Sequence, residues 1–171
     1  MAHYVNNKEL YQALIEYNEQ KKRLDNVRIP EYIGKCILLI TEKLSSRGNF
    51  VNYSYKDEMV SDAIENCLAA VDNFNVEKYN NPHAYFTQIA WFAFIRRIDK
   101  EKKQNYLKYK NYRLQIAHEE LTNMNSSYNP ALQAQDEVMD EFIRSYEENV
   151  ERKKKKSKKK QGVEKFIKDE D

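Results

Sequence analysis

The middle of the chain reads Pro82-His-Ala-Tyr-Phe-Thr-Gln-Ile-Ala-Trp-Phe-Ala-Phe-Ile-Arg-Arg-Ile98. Asn81 suits the N-cap of a helix, and Pro82 fits the first turn, where its missing N–H is not needed. The pattern predicts a helix that runs from Pro82 to beyond Lys100, with Tyr112 as its outer limit. Because apolar side chains lie nearly all round this helix, we expect it to be central to the core or to keep one side for a partner.

The segments on either side also repeat at helical spacing. Asn6 with Glu9, and Ser54 with Asp57, are typical of capping boxes at helix starts. Pro30 is suited to open another helix, and Gly48 to stop it. Besides the central helix, the sequence predicts helices from Asn7 to Lys22, from Pro30 toward Gly48, from Ser54 to Phe74 and from Ala131 to Val150.

The composition favours the same class of fold. The 171 residues include only 3 glycines and 3 prolines, which argues against a fold rich in strands and turns. Hydrophobic residues at 41% can support a core. The longest apolar run, Cys36–Ile40, is too short to span a bilayer, and the first residues lack the pattern of a signal peptide. We expect a compact all-α domain with a flexible basic C-terminal tail, in a cytoplasmic protein without membrane association.

Charge is distributed unevenly along the chain. The formal net charge is only +2, but eight of the nine residues from Arg152 to Lys160 are basic. A second basic stretch runs from Arg96 to Arg113, and the rest of the chain is acidic. This distribution indicates one polyanionic partner and one basic partner. The lysine run taken alone is also typical of a solvated, disordered tail.

The central helix passes from aromatic to basic composition. Such a sequence favours single-stranded or melting DNA as a ligand, because rings accept unstacked bases and cations neutralise phosphates. Any one ring could instead be a core residue. Catalytic patterns are missing: the histidines lack metal-ligand spacing, the two cysteines form no CxxC motif, and no glycine-rich phosphate loop occurs. We therefore expect no enzyme, no metal site and no cofactor.

Two consecutive helices resemble a known family. The stretch Glu58-Met-Val-Ser-Asp-Ala-Ile-Glu-Asn-Cys-Leu-Ala-Ala-Val-Asp-Asn-Phe74 is similar to the core-polymerase-binding helix of bacterial sigma factors, which starts acidic and ends in Ala-Val-Asp-x-Phe. The stretch Pro82–Ile98 resembles the promoter-melting helix that follows it. Smaller similarities, at Tyr4–Leu10, Lys78–Tyr85 and Arg96–Lys103, indicate the late-transcription sigma factors of T-even-type phages. The resemblance ends near Lys103.

The resemblance implies which residues meet each partner. The acidic helix would dock on the clamp helices of the largest subunit of the host bacterial RNA polymerase core, and the next helix would bind the minus-ten element of promoter DNA as it opens. The implied polymerase-binding residues are Glu58, Ser61, Asp62, Glu65 and Leu68. The implied DNA-binding residues are Tyr85, Gln88, Trp91, Phe92, Arg96, Arg97, Lys100 and Lys103.

The match to this family departs from its pattern in two places. Tyr85 stands where the family has a stacking tyrosine, but the family's tandem tryptophans fall at Gln88-Ile89, and Trp91 and Phe92 lie almost one turn later. No helix-turn-helix for a minus-thirty-five element is found, so promoter recognition is expected at the minus-ten element alone.

The C-terminal segment suggests a third partner. In the phage family a short acidic-hydrophobic motif docks on the sliding clamp, and this chain carries Val163, Phe166 and Ile167 among charged residues. These three side chains are the expected clamp-binding residues. The expected organisation is a sigma-like helical domain at 1–117, an acidic helical extension at 118–151 and a disordered lysine-rich tail at 152–171, in a protein associated with the nucleoid of a bacterial host.

Two other classes of function fit the same residues. A helical DNA-binding accessory protein of replication or transcription would use the basic helix without polymerase. A polymerase-appropriating regulator would use the acidic helix without opening DNA. Binding to core polymerase, followed by transcription from a minus-ten promoter, separates the three.

Overall fold

The computed structural model describes the backbone of residues 5–24, 26–122 and 130–168, and side chains within 5–24, 26–118 and 135–156. All regular structure in these ranges is helical, which confirms the all-α prediction. The elements are α1 (Asn7–Arg23), α2 (Glu31–Ser45), α3 (Lys56–Ala69), a 3-10 turn (Val71–Asn73), α4 (Pro82–Thr122) and α5 (Pro130–Lys168).

The chain divides into two compact units, Met1–Asp99 and Lys100–Asp171. The boundary therefore falls inside α4, and not at residue 117 as the sequence analysis expects. The reason lies in the packing: the last core residue on α4 is Ile98, whereas Tyr106 and Tyr109 farther along the helix contact α5.

The lysine run also differs from the expected disordered tail. α5 continues through it to Lys168. Lysine and arginine have high helix propensity, and after Pro130 no proline interrupts the segment. The part of the acidic extension from Pro130 on and the lysine run are thus parts of one helix.

The starts of α1 and α4 match the sequence signals. Asn6 accepts a hydrogen bond from the backbone N–H of Lys8 at 3.1 Å, and its side-chain amide donates to Glu9 Oε1 at 2.8 Å. Asn81 accepts from the N–H of Ala84 at 3.0 Å. The N–H of His83, which also lacks a partner within the first turn of α4, donates to Asn7 Oδ1 on α1 at 3.0 Å. The bond from Asn7 joins the first turns of the two helices.

The bounds of α3 differ from the prediction. Ser54 does not cap it: α3 begins after Tyr55, without a side-chain cap. Its acidic first turn still complements the positive end of the helix dipole. The helix ends at Ala69: the N–H of Ala70 is shared between the carbonyls of Asn66 and Cys67, and a 3-10 turn follows. Phe74, just after this turn, is buried.

The core of the first unit lies between α1, α2, α3 and the first part of α4. Phe50, from the segment between α2 and α3, packs edge-on against Trp91 at 4.8 Å and Phe94 at 5.0 Å between ring centroids. α4 contributes the buried residues Phe86, Ala90, Ala93, Phe94 and Ile98.

Truncating Phe94 should lower stability strongly. Phe94 is fully buried, whereas Phe92 on the same helix is 52% exposed. We expect Phe94→Ala to reduce the free energy of unfolding by about 3–5 kcal/mol, because it leaves a cavity. The matched control Phe92→Ala should change it by less than about 0.5 kcal/mol. Urea unfolding followed by circular dichroism measures both, and similar losses in the two variants would contradict the orientation of α4.

Candidate functional site

α3 turns an acidic side toward solvent. Its inner side buries Met59, Ala63 and Cys67, so the helical period places Glu58 and Glu65 outward, where both are exposed. The outward residues Glu58, Ser61 and Glu65, together with the half-buried Leu68, are called the α3 face below. Four of the five expected polymerase-binding residues thus lie at the surface of α3, and the fifth, Asp62, has a different role.

Asp62 forms an ion pair inside the first unit. Arg97 on α4 donates from Nε to Asp62 Oδ2 and from Nη2 to Oδ1, both at 2.6 Å. The side chains are only 32% and 17% exposed for Asp62 and Arg97, and the geometry is the bidentate fork of a strong guanidinium–carboxylate pair. Two residues that the sequence analysis assigns to different partners therefore bind each other.

A second polar contact lies beside this pair. Arg96 donates from Nη2 to Asn66 Oδ1 at 2.7 Å, on the exposed side of the α3–α4 contact. Sequence reasoning missed Asn66, because the 30 residues that separate it from Arg96 hide the contact from any local pattern. α3 and α4 are thus joined by polar as well as apolar contacts.

Tyr85 is half-buried at the edge of the core. Its hydroxyl donates to the backbone carbonyl of Ala70 at 3.2 Å, and its ring packs edge-on against Phe74 at 5.1 Å and Phe86 at 5.2 Å. Burial raises the pKa of Tyr85. The segment Ala70–Phe74 therefore covers the ring that the sequence analysis expects to capture a base.

Phe92 is the exposed ring of α4 in the first unit. It follows Tyr85 by two helical turns on the same side, but it is 52% exposed. Trp91, in contrast, is half-buried against Phe50. Ile95, which is not among the expected DNA-binding residues, is 38% exposed at helical spacing from Phe92. The exposed residues Gln88, Phe92, Ile95 and Arg96 are called the α4 strip below.

The remaining expected site residues lie outside the first unit. Lys100 and Lys103 belong to the second unit and are exposed on α4. The backbone of Val163, Phe166 and Ile167 lies in α5, and their side chains lie outside the described part of the chain.

The described residues include two histidines, two cysteines and many carboxylates. No group of three His, Cys, Asp or Glu side chains among them could hold a metal ion. Both cysteines are buried, and burial raises the pKa of Cys67 to about 12, so this thiol stays protonated and unreactive near neutral pH. A shallow groove of about 530 Å³ reaches from Pro30 and Leu38 to Leu68.

Comparison with known proteins leaves the family open. No protein-family model matches the chain, and no curated protein matches it either. None of the described helices is long and apolar enough to cross a membrane.

Reversing the charge of Asp62 should destabilise the first unit. We expect Asp62→Lys to lower the free energy of unfolding by about 1–2 kcal/mol, between the values for exposed and buried ion pairs, because the new lysine faces Arg97. Glu65→Lys makes the same charge change at an exposed position of α3 and should cost less than about 0.5 kcal/mol. Urea denaturation measures both variants.

The pairing itself is tested by a charge swap. The double variant Asp62→Arg/Arg97→Asp should recover part of the stability that Asp62→Lys loses, since opposite charges again face each other. Equal losses in Asp62→Lys and Glu65→Lys would show that the ion pair contributes nothing.

Proposed function

We propose that this protein is a sigma-like specificity factor, which binds the core of a bacterial RNA polymerase and directs initiation at late-type phage promoters through the minus-ten element. The observation that carries the proposal is that one compact unit exposes both the acidic α3 face and the aromatic, basic α4 strip. The resemblance of Glu58–Phe74 and Pro82–Ile98 to the corresponding sigma-factor helices supports the same pairing of surfaces.

The α3 face would bind the polymerase. Glu58 and Glu65 would meet basic side chains of the clamp helices, and Leu68 would add apolar contact at the end of the groove described above. Opposite charge steers such an encounter and fixes its register. Asp62 would act from behind the face, by fixing α3 against α4 through Arg97.

The α4 strip would bind DNA during opening. Phe92 would stack on an unpaired base, and Arg96 would neutralise phosphate, as would Lys100 and Lys103 in the second unit. Taking a base out of the duplex costs a few kcal/mol, which stacking and phosphate contacts offset. Tyr85 would join the strip only if the chain at Ala70–Phe74 moved away from its ring.

The sliding clamp would be the third partner of the proposed factor. Val163, Phe166 and Ile167 are the proposed docking residues, and the acidic residues after them match the composition of the phage motif. Docking would raise the local concentration of polymerase at the clamp-bound promoter without changing the promoter contacts. A cytoplasmic location in the bacterial host belongs to the same proposal.

Reversing charge on the α3 face should abolish polymerase binding. We expect the variant Glu58→Lys/Glu65→Lys to lose capture by immobilised core polymerase and to lose run-off transcription from a minus-ten promoter, while its circular dichroism stays unchanged. The matched control is Glu19→Lys/Glu77→Lys, which makes the same charge change at exposed positions of α1 and the segment after the 3-10 turn. The control should behave as the wild type.

The outcomes separate the candidate functions. Transcription by the wild type supports the sigma-like factor. Capture without transcription would favour the polymerase-appropriating regulator, and absence of capture would favour the DNA-binding accessory protein. Equal binding by the two charge-reversed variants would exclude the α3 face as the docking surface.

Removing the Phe92 ring should impair promoter opening. We expect Phe92→Ala to assemble with core polymerase but to lower permanganate reactivity of promoter thymines by about 5- to 150-fold, since a stacked base contributes about 1–3 kcal/mol. Tyr79→Ala, which truncates a 46% exposed ring outside α4, is the control and should open promoters normally. Normal opening by Phe92→Ala would return the stacking role to Tyr85 or Trp91.

A further inference from the structure

Four side chains of the second unit share one side of α4. Tyr106, Tyr109, Lys110 and Arg113 follow one another at i, i+3, i+4 and i+7, the spacing that aligns residues on one helix surface. All four contact α5. They are called the Tyr–Arg face below, and none of them belongs to the DNA-binding residues considered above.

The two rings of this face contact aromatic residues of α5. Tyr106 stacks on Tyr146 with 4.5 Å between centroids and 21° between planes. Tyr109 packs edge-on against Phe142 at 5.3 Å. The Tyr106 hydroxyl also donates to Glu147 Oε1 at 2.7 Å. α5 thus presents a flat ring and, one residue later, a carboxylate to the same tyrosine.

The two cations of the face contact carboxylates of α5. Lys110 Nζ lies 2.8 Å from Glu147 Oε1. Arg113 donates to both oxygens of Asp140 at 3.0 Å, and its Nη1 lies 3.2 Å from Asp136 Oδ2. The hydrogen bond from Lys110, more than that from Tyr106, lowers the pKa of Glu147. The fork of Arg113 on the two oxygens of Asp140 is the geometry with which arginine also binds phosphate.

The contact between the helices has no dry core. Among the side chains described in the second unit, 100–118 and 135–156, none is buried. The ion pairs are solvated, with side-chain exposures of 48% for Lys110 and Glu147 and 36% for Arg113. Solvated ion pairs contribute little and weaken in salt, and regions without buried apolar contacts open most readily. α5 is therefore held on this face by contacts that a competing anion can replace.

We propose that the Tyr–Arg face binds single-stranded DNA and that α5 covers it by imitating the strand. Tyrosine rings that accept bases, interleaved with cations that neutralise phosphates, form the chemistry of a single-strand site. In the closed state Tyr146 takes the place of a base, and Asp136, Asp140 and Glu147 take the places of phosphates. The inference goes beyond the proposed function, because it concerns the free protein and requires no polymerase.

The test removes contacts that hold α5 on the Tyr–Arg face without changing any residue of that face. The full-length variant Asp140→Asn/Glu147→Gln removes two carboxylates that contact the face. The matched control Glu141→Gln/Glu148→Gln removes the same charge from exposed positions of α5 that lie away from it. Fluorescence anisotropy measures binding of a labelled oligothymidylate of about 16 nucleotides, a length that spans one typical single-strand site. A duplex of the same length is measured in parallel.

We expect the opened variant to bind the oligothymidylate about 5- to 10-fold more tightly than the control, which corresponds to roughly 80–90% covered protein in the wild type. The duplex should gain less, because its bases are stacked. Adding Tyr106→Ala and Arg113→Ala should remove the gain. An equal change in the opened variant and the control, or a gain that survives these two substitutions, would overturn the proposal.

A measurement on the wild-type protein tests the same proposal without depending on whether the variants fold. Hydrogen exchange with saturating oligothymidylate should slow in the α4 segment 106–113 and quicken in the α5 segment 136–147, since the strand replaces α5. Slower exchange in both segments, or no change in α4, would refute a cover that competes with the strand.

Discussion

Burial of one side of α4 decides which of its side chains can serve a partner. Phe86, Ala90 and Phe94 point into the core of the first unit, so the helical period leaves the opposite side to Phe92 and its neighbours. Tyr85 lies on that outer side too, but the adjoining segment Ala70–Phe74 covers it. The candidate DNA surface is therefore set by core packing together with one local turn.

The ion pair between Asp62 and Arg97 links the two candidate surfaces of this unit. Because its side chains are largely shielded and doubly bonded, it opposes sliding of α3 against α4. A protein that binds one partner through α3 and DNA through α4 is helped by a fixed position of the two helices, because both partners are then held in a defined arrangement. Asp62 and Arg97, which were expected to bind two external partners, thus neutralise each other within the first unit.

Local signals in the sequence were sufficient for some of these features. The caps at Asn6 and Asn81 could be predicted, because a side chain and the backbone donors it satisfies lie within three residues. The pair Asp62–Arg97 could not, because 35 residues separate its members. Nor could the exposure of Phe92, since a helix that is apolar all round has no periodicity to mark its inner side. The α3 face was predictable because polar and apolar residues alternate at helical spacing there.

In the second unit, too, acidic and basic residues that suggest external partners contact each other. An acidic segment and a basic segment of one chain suggest two external partners, but Lys110 and Arg113 already face Glu147, Asp136 and Asp140. Farther along α5 the carboxylates give way to the lysine run, where Lys155 and Glu151 are both highly exposed and 3.9 Å apart. Charge beside the Tyr–Arg face is therefore neutralised by ion pairs of 2.8–3.2 Å, whereas the Lys155–Glu151 pair is longer and more exposed. A polyanion that binds the Tyr–Arg face would have to replace the carboxylates of α5 that contact Lys110 and Arg113.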